Sequence, residues 1–216
     1  MNLMNKLLVD NMIITKQNNN LVINGKQNIT IFNQEVKTLK IKVTKNSEAI
    51  INDFRLINKA NTKVQLVADE GASLIYNHAF INRGSYYLII KASYLGTKSN
   101  MMINIHGLND GGETNLTIDG VIEEHNQHNL LAQNIKLMNV NGGKAKALPN
   151  MLVKSLNVIA NHNVTVGKLE KNELNYLMSK GLSTDTAKKL IINGFLVNVL
   201  SDSKLIIKVK ELIGGR

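Results

Sequence analysis

The chain has 216 residues, no cysteine and a formal net charge of +10. Without cysteine, disulfide frameworks, cysteine-based zinc sites and cysteine-ligated clusters are excluded. The first apolar run stops at Asp10, and no apolar run approaches the ~20 residues of a membrane helix, so we expect a cytoplasmic protein with neither signal peptide nor membrane span.

The positive charge is spread along the chain as single lysines. Residues 1–166 carry 17 basic and 11 acidic residues, and residues 167–216 carry 9 and 5. Only three arginines occur and Trp is absent, so the chain is poorly supplied with side chains that stack on bases. A solvated surface is therefore preferred, and a basic β-domain with a helical tail that binds nucleic acid is the alternative function.

From about residue 9 to 160 the sequence is a series of short β-like runs. Several alternate between apolar and polar residues, as in Leu39–Val43, and turn pairs such as Asn24-Gly25, Glu70-Gly71 and Arg83-Gly84 separate them. Such spacing is typical of a sandwich, a barrel or a β-solenoid, and periodicity does not choose among them. The predicted strands cover residues 12–15, 21–23, 29–32, 39–43, 64–68, 73–76, 86–91, 101–105, 116–122, 135–138 and 156–159.

After Gly167 the pattern becomes helical. We predict a first helix over 170–180, which Gly181 ends, and a third helix over 203–213. Between them, a second helix is predicted to begin after an N-terminal cap at Ser183. Gly194 inside the second helix suggests close backbone packing there. The sequence therefore predicts a β core over 1–166 and a compact helical cap over 167–216 that buries the last β turn. The apolar face of the second helix is predicted to hold Ala187, Leu190, Ile191, Gly194 and Phe195.

The histidines offer one weak metal candidate. His125 and His128 lie three residues apart beside Glu123 and Glu124, but their context is polar and has no second ligand cluster, so a metal site is not favoured. His78 and His106 are single residues in strand-like runs, where structural roles are expected. No phosphate-binding glycine loop, zinc-protease pair or Gly-x-Ser-x-Gly nucleophile motif occurs, so we expect no catalysis by the chain alone.

One ordered set of residues carries a family resemblance. The set is Pro149, His162, Thr165, Gly167, Tyr176, Leu177, Lys180, Gly181, Ala187 and Phe195. It resembles the C-terminal part of the SufB/SufD family, the scaffold subunits of a bacterial iron–sulfur cluster assembly complex. The resemblance implies a right-handed parallel β-helix with a C-terminal helical cap. It also implies that the core pairs with a SufB-like paralogue and that the helices dock a SufC-like ATPase. A homodimer is a further possibility.

The resemblance gives His162 a role at the interface between the two scaffold subunits, as a tentative metal ligand in building the nascent cluster. Neutral imidazole is a suitable iron ligand, although His162 could equally hydrogen-bond its strand to the cap. No cofactor is expected to bind stably; a transient iron–sulfur cluster belongs to the assembled complex. The residues expected to dock the ATPase or support the dock are Tyr176, Leu177, Lys180, Ala187, Leu190, Ile191 and Phe195.

Departures from the family pattern narrow this expectation. Asn163 stands where the family has Gly or Glu, and Lys180 stands where Arg is usual, which loses forked hydrogen bonding. The reactive thiol of SufB is missing because the chain has no cysteine. The sequence therefore predicts a short, SufD-like member, the non-thiol half of the pair.

Overall fold

The structure, a computed structural model, describes residues 8–9, 19–33 and 36–214. These residues form eleven strands followed by three helices. The strands are β1 (Leu8–Val9), β2 (Asn20–Ile23), β3 (Lys26–Phe32), β4 (Thr38–Val43), β5 (Glu48–Ala68), β6 (Ser73–Tyr94), β7 (Asn100–Asp110), β8 (Glu113–Ile122), β9 (Leu130–Val140), β10 (Lys144–Val153) and β11 (Ile159–Lys168). The helices are α1 (Lys171–Ser179), α2 (Thr184–Val197) and α3 (Ser203–Gly214).

The strands wind into a parallel β-solenoid of about five turns, which confirms the predicted fold class. Each turn has two straight segments, so the strands stack into two faces. The first face holds β3, the first half of β5, the first half of β6, β7, β9 and β11, in that order. The second face holds β2, β4, the second halves of β5 and β6, then β8 and β10.

Alternation along each strand builds the main core. Inward positions such as Ala49, Leu74, Met101 and Leu131 are buried and stack on one another from turn to turn. Outward positions of the second face are half-buried or exposed. The winding thus converts the period-two pattern seen in the sequence into one continuous apolar interior.

Most predicted strand segments lie inside observed strands, with three differences. The predicted strand at 12–15 lies outside the described residues. The predicted turn at Arg83-Gly84 is a corner inside a continuous strand, because β6 runs on through both residues while its partner changes from β7 to β8. A Cβ on Gly84 would lie 1.7 Å from the Asn58 carbonyl oxygen, so glycine lets the strand bend around a corner without leaving the sheet. The last predicted strand, 156–159, is also misplaced, since β11 begins at Ile159.

The three predicted helices are confirmed within one or two residues, and so are their end signals. Gly181 adopts φ +90°, and the Ser183 side chain accepts a hydrogen bond from the Thr186 amide at 3.2 Å. The prediction for Gly194 is wrong, because a Cβ at this position would meet no atom within 4 Å.

The helices lie on the flank of the solenoid, and do not bury its last turn as the sequence suggested. Leu196 of α2, with Leu205 and Val209 of α3, packs on outward residues of the first face and forms a second apolar core. The solenoid residues of this core include Phe54, Ala79, Ile81 and Leu108. Among the described helices, none is long and apolar enough to cross a membrane.

Candidate functional site

The final turn of the solenoid is open. Strand β10 pairs only with β8, and β11 pairs only with β9, so each has one edge without a strand partner in the described structure. Nearly all side chains of β11 are exposed. Several large apolar side chains are exposed here as well: Leu148, Leu152, Val153, Leu156, Ile159 and Val166. Unpaired edges with exposed apolar residues are typical of a surface that another chain covers.

His162 lies in the middle of this edge strand. It aligns with Gln133 of β9, which is an inward position, yet its side chain is exposed because no further turn stacks above it. Gln133 itself is fully buried and donates from Nε2 to the Asn150 carbonyl at 3.3 Å, while its Oε1 lacks a hydrogen-bond partner in the described residues. The end of the interior is therefore polar directly beneath His162.

The geometry gives His162 limited chemistry of its own. No three His, Cys, Asp or Glu side chains within residues 19–33 and 36–214 lie close enough together to hold a metal ion. At the other candidate pair, His125 and His128, the neighbouring Glu123 carboxylate binds Lys154 at 2.6 Å. A single exposed imidazole supplies one metal ligand, so a metal ion bound by His162 would need further ligands from outside the described residues.

A ladder of asparagines leads to the same strand on the outer side of the first face. Five consecutive turns place Asn52, Asn77, Asn104, Asn134 and Asn163 in register. Each of the middle three amides donates to the carbonyl oxygen of the preceding one, at 3.2, 2.9 and 2.9 Å. This ladder was not predicted from the sequence, although an Asn recurs at these positions every 25 to 30 residues.

The ladder begins beneath the helices. Asn52 Oδ1 accepts hydrogen bonds from the backbone amide and the hydroxyl of Ser201, at 2.9 and 3.1 Å. The neighbouring His106 Nδ1 donates to the Phe195 carbonyl at 2.5 Å, and the two rings stack with centroids 4.9 Å apart. Burial lowers the pKa of His106. The helices are thus attached to the sheet by specific polar contacts as well as by apolar packing.

The predicted docking residues separate into two groups. Tyr176, Lys180 and Leu190 are exposed, and the Lys180 ammonium lies 5.5 Å from the Tyr176 ring centroid. Ala187 is fully buried, whereas Leu177, Ile191 and Phe195 are half-buried. Helix α1 has no buried residue and packs against α2. The α1–α2 pair therefore has an exposed surface, and the more buried residues of the set pack beneath it and hold the pair in place.

A charged cluster inside the solenoid was also missed. Arg55 Nη2 donates to Asp53 Oδ2 at 2.6 Å, and the Tyr76 hydroxyl donates to the same oxygen at 2.8 Å. Although burial opposes ionisation, Arg55 and His78 hold the pKa of Asp53 below its usual value. Burial lowers the pKa of His78 to about 4. The i, i+2 spacing of Asp53 and Arg55 was the available signal, since it puts both on one side of a strand.

Comparison with known proteins gives a consistent family. The family model "SUF system FeS cluster assembly, SufBD core domain" matches residues 34–195, about three quarters of the chain. An iron–sulfur cluster assembly SufBD family protein of Pyrococcus horikoshii is 39% identical over 54 residues, which are 24% of this chain and 12% of the relative. The iron–sulfur cluster assembly protein SufD of Bacillus subtilis is 33% identical over 70 residues, 32% of this chain and 16% of the relative.

A third relative, an iron–sulfur cluster assembly SufBD family protein of Mycobacterium leprae, is 29% identical over 69 residues, 32% of this chain and 18% of the relative. The matched segments thus span less than a fifth of each curated relative's length.

Proposed function

Because this chain belongs to the SufB/SufD family of the SUF iron–sulfur assembly system, we propose that it is a SufD-like scaffold subunit. Its solenoid pairs with a SufB-like paralogue, and its helices dock a SufC-like ATPase. Iron and sulfur are the cargo of the assembled complex, and the partners supply ATP hydrolysis and the reactive thiol. The proposed place of action is the cytoplasm.

The observation that carries this proposal is the position of His162. It is an exposed imidazole on an edge strand whose outer side lacks a partner in the described residues. One imidazole is an incomplete metal site, and a second solenoid added to β11 would bring further ligands next to it. The ring nitrogens are then available to the cargo at the junction of two subunits.

The apolar residues of the last turn support pairing through this end. Ile159 and Val166 are 60% and 43% exposed on the strand that carries His162. A partner strand on β11 would satisfy the free backbone groups and cover these side chains together.

The helices support docking of a separate protein at the flank. Tyr176 is 62% exposed and Leu190 is 53% exposed, although both stand on helices joined to the solenoid through α2. The polar joints at Ser201 and Phe195 connect this surface to the first face, which also carries His162. Movement of a docked ATPase would therefore act on the same sheet that forms the subunit junction.

Affinity purification of the tagged full chain from its native cell tests the proposal. We expect an ATPase and a cysteine-containing homologue to co-purify. The edge variant Ile159→Lys/Val166→Lys should lose the homologue and keep the ATPase, because charge blunts a strand edge. A matched control, Leu95→Lys, changes a similarly exposed apolar residue elsewhere and should lose neither. Recovery of nucleic acid alone, or retention of the homologue by the edge variant, would contradict the proposal.

A further inference from the structure

The second face of the solenoid carries a concentrated positive charge that the scaffold role does not use. The outward positions of β4 and of the second halves of β5 and β6 hold five lysines and, in these described segments, no Asp or Glu. The strand neighbours of four of these lysines are buried, which fixes those four on the outside, and the fifth lysine is itself exposed at the corner where its segment begins. We name this surface the basic face: Lys40, Lys42, Lys59, Lys63 and Lys91.

The winding of the chain brings these lysines together. Lys40 aligns with Gln65 and then with Lys91, so two residues 51 positions apart in sequence are only two strands apart in space. That separation is about 10 Å, and Lys40 and Lys42 on one strand are about 7 Å apart. Lysines that are scattered along the sequence thus lie close together on one side of the same sheet.

The charges of the basic face are largely unneutralised. Lys42 has a loose contact with Asp69 at 3.9 Å, and Asp119 of the neighbouring strand β8 aligns with Lys91 without forming an ion pair. Lys40, Lys59 and Lys63 make no ion pair with any residue that the structure describes. A cleft of about 760 Å³ opens at the corner beside Lys59 and Lys63 and is also lined by Lys37, with no acidic residue among its described lining. Clustered like charges of this kind raise the local potential and attract polyanions.

The remaining side chains indicate which polyanion fits. Tyr87 is the large apolar side chain most exposed at these outward positions, at 50%, and it aligns with Asn61 on one side and Asn115 on the other. A protein interface needs a buried apolar anchor and a membrane surface needs an apolar wedge, and a single tyrosine among lysines and amides provides neither. Lysines for phosphates and one ring for a base match the chemistry of single-stranded nucleic acid.

We propose that the basic face binds single-stranded nucleic acid, with Lys40, Lys59, Lys63 and Lys91 on phosphates and Tyr87 stacked on a base. This activity is independent of the scaffold role. It uses the second face, whereas the helices lie on the first face and His162 lies at the open end.

Fluorescence anisotropy with the full chain and a labelled oligothymidylate of about 15 nucleotides tests the proposal. Each phosphate contact contributes about −0.7 to the slope of log K against log salt, so the four lysines placed on phosphates predict a slope of about −2.8. The variant Lys40→Gln/Lys63→Gln/Lys91→Gln should make this slope less negative by about 2 and should weaken binding about tenfold or more near 0.1 M salt. The single variant Lys91→Gln should make the slope less negative by about 0.7.

A matched control removes the same charge from the helices. Lys171→Gln/Lys188→Gln/Lys210→Gln also takes the net charge from +10 to +7 (10 − 3). It should keep the slope and nearly all of the affinity. Tyr87→Leu should weaken binding severalfold and leave the slope unchanged, because it removes stacking without removing charge.

Three results would overturn the proposal. One is equal loss in both triple variants, which would mean that net charge alone drives association. Another is the absence of binding at low salt. The third is binding of polyglutamate or of phosphatidylserine vesicles as tight as that of the oligonucleotide, with Tyr87→Leu having no effect, which would assign the face to an acidic protein or a membrane.

Discussion

Replacement of His162 by Ala separates a role at the subunit junction from a role in the fold. The side chain is exposed and makes no hydrogen bond with any residue that the structure describes. Its removal should therefore change the free energy of unfolding by no more than about 0.5 kcal/mol. If His162 acts at the junction as proposed, iron and acid-labile sulfide in the assembled complex should nevertheless fall, because the proposed site would lose its imidazole.

His106→Ala is the matched comparison. This side chain is 8% exposed, donates to the Phe195 carbonyl and stacks on the Phe195 ring. One hydrogen bond contributes about 1 kcal/mol and one ring pair adds about 1 kcal/mol, so the loss should be about 2 kcal/mol. For a chain of this size that corresponds to a fall of about 4–8 °C in melting temperature.

The experiment measures urea and thermal unfolding of both variants. It then measures the iron and acid-labile sulfide content of the purified complexes. The assignment of His162 fails if its variant unfolds as easily as the His106 variant. It also fails if the His162 variant supports full cluster yield with its partners bound.

Other positions give further expectations. Leu190→Asp should leave the melting temperature nearly unchanged and weaken ATPase binding in a pull-down titration, since Leu190 is exposed on α2. Phe195→Asp should lower both the melting temperature and ATPase binding, because this half-buried ring packs on His106 and an unpaired carboxylate there is unfavourable. Equal behaviour of the two variants would contradict the assignment of Leu190 to the docking surface and of Phe195 to its support. Gly194→Ala should raise stability by about 1 kcal/mol in urea titrations, because a Cβ there meets open space inside a helix, and a loss of stability would show hidden packing. Stability should also fall in acid. The pKa of His78 is about 4 when folded and near 6.5 when unfolded, so below pH 6.5 the unfolded chain takes up the proton first. Stability present above pH 6.5 then declines by about 3 kcal/mol as pH approaches 4, and His78→Gln should remove that decline.

Local features of the sequence were sufficient to predict where the helices begin and end. Gly181 ends α1 in a left-handed conformation and Ser183 caps α2, because capping depends on a few neighbouring residues. The apolar alternation of Leu39–Val43 and similar runs indicated strands for the same local reason. The choice of a solenoid over a sandwich or barrel came from the family resemblance, since all three share that alternation.

Long-range contacts decided the rest. The Asn ladder, the Asp53–Arg55 cluster and the basic face each join residues 20 or more positions apart, or depend on which side of a strand faces inward. The flank position of the helices depended on apolar residues on the outer side of the first face, such as Phe54 and Leu108, which a strand pattern alone does not assign to a partner. The alternation of apolar and polar residues shows that a strand has an inner and an outer side. Which side chains meet is determined by the register of the stacked turns, and this register is set only when the whole chain packs.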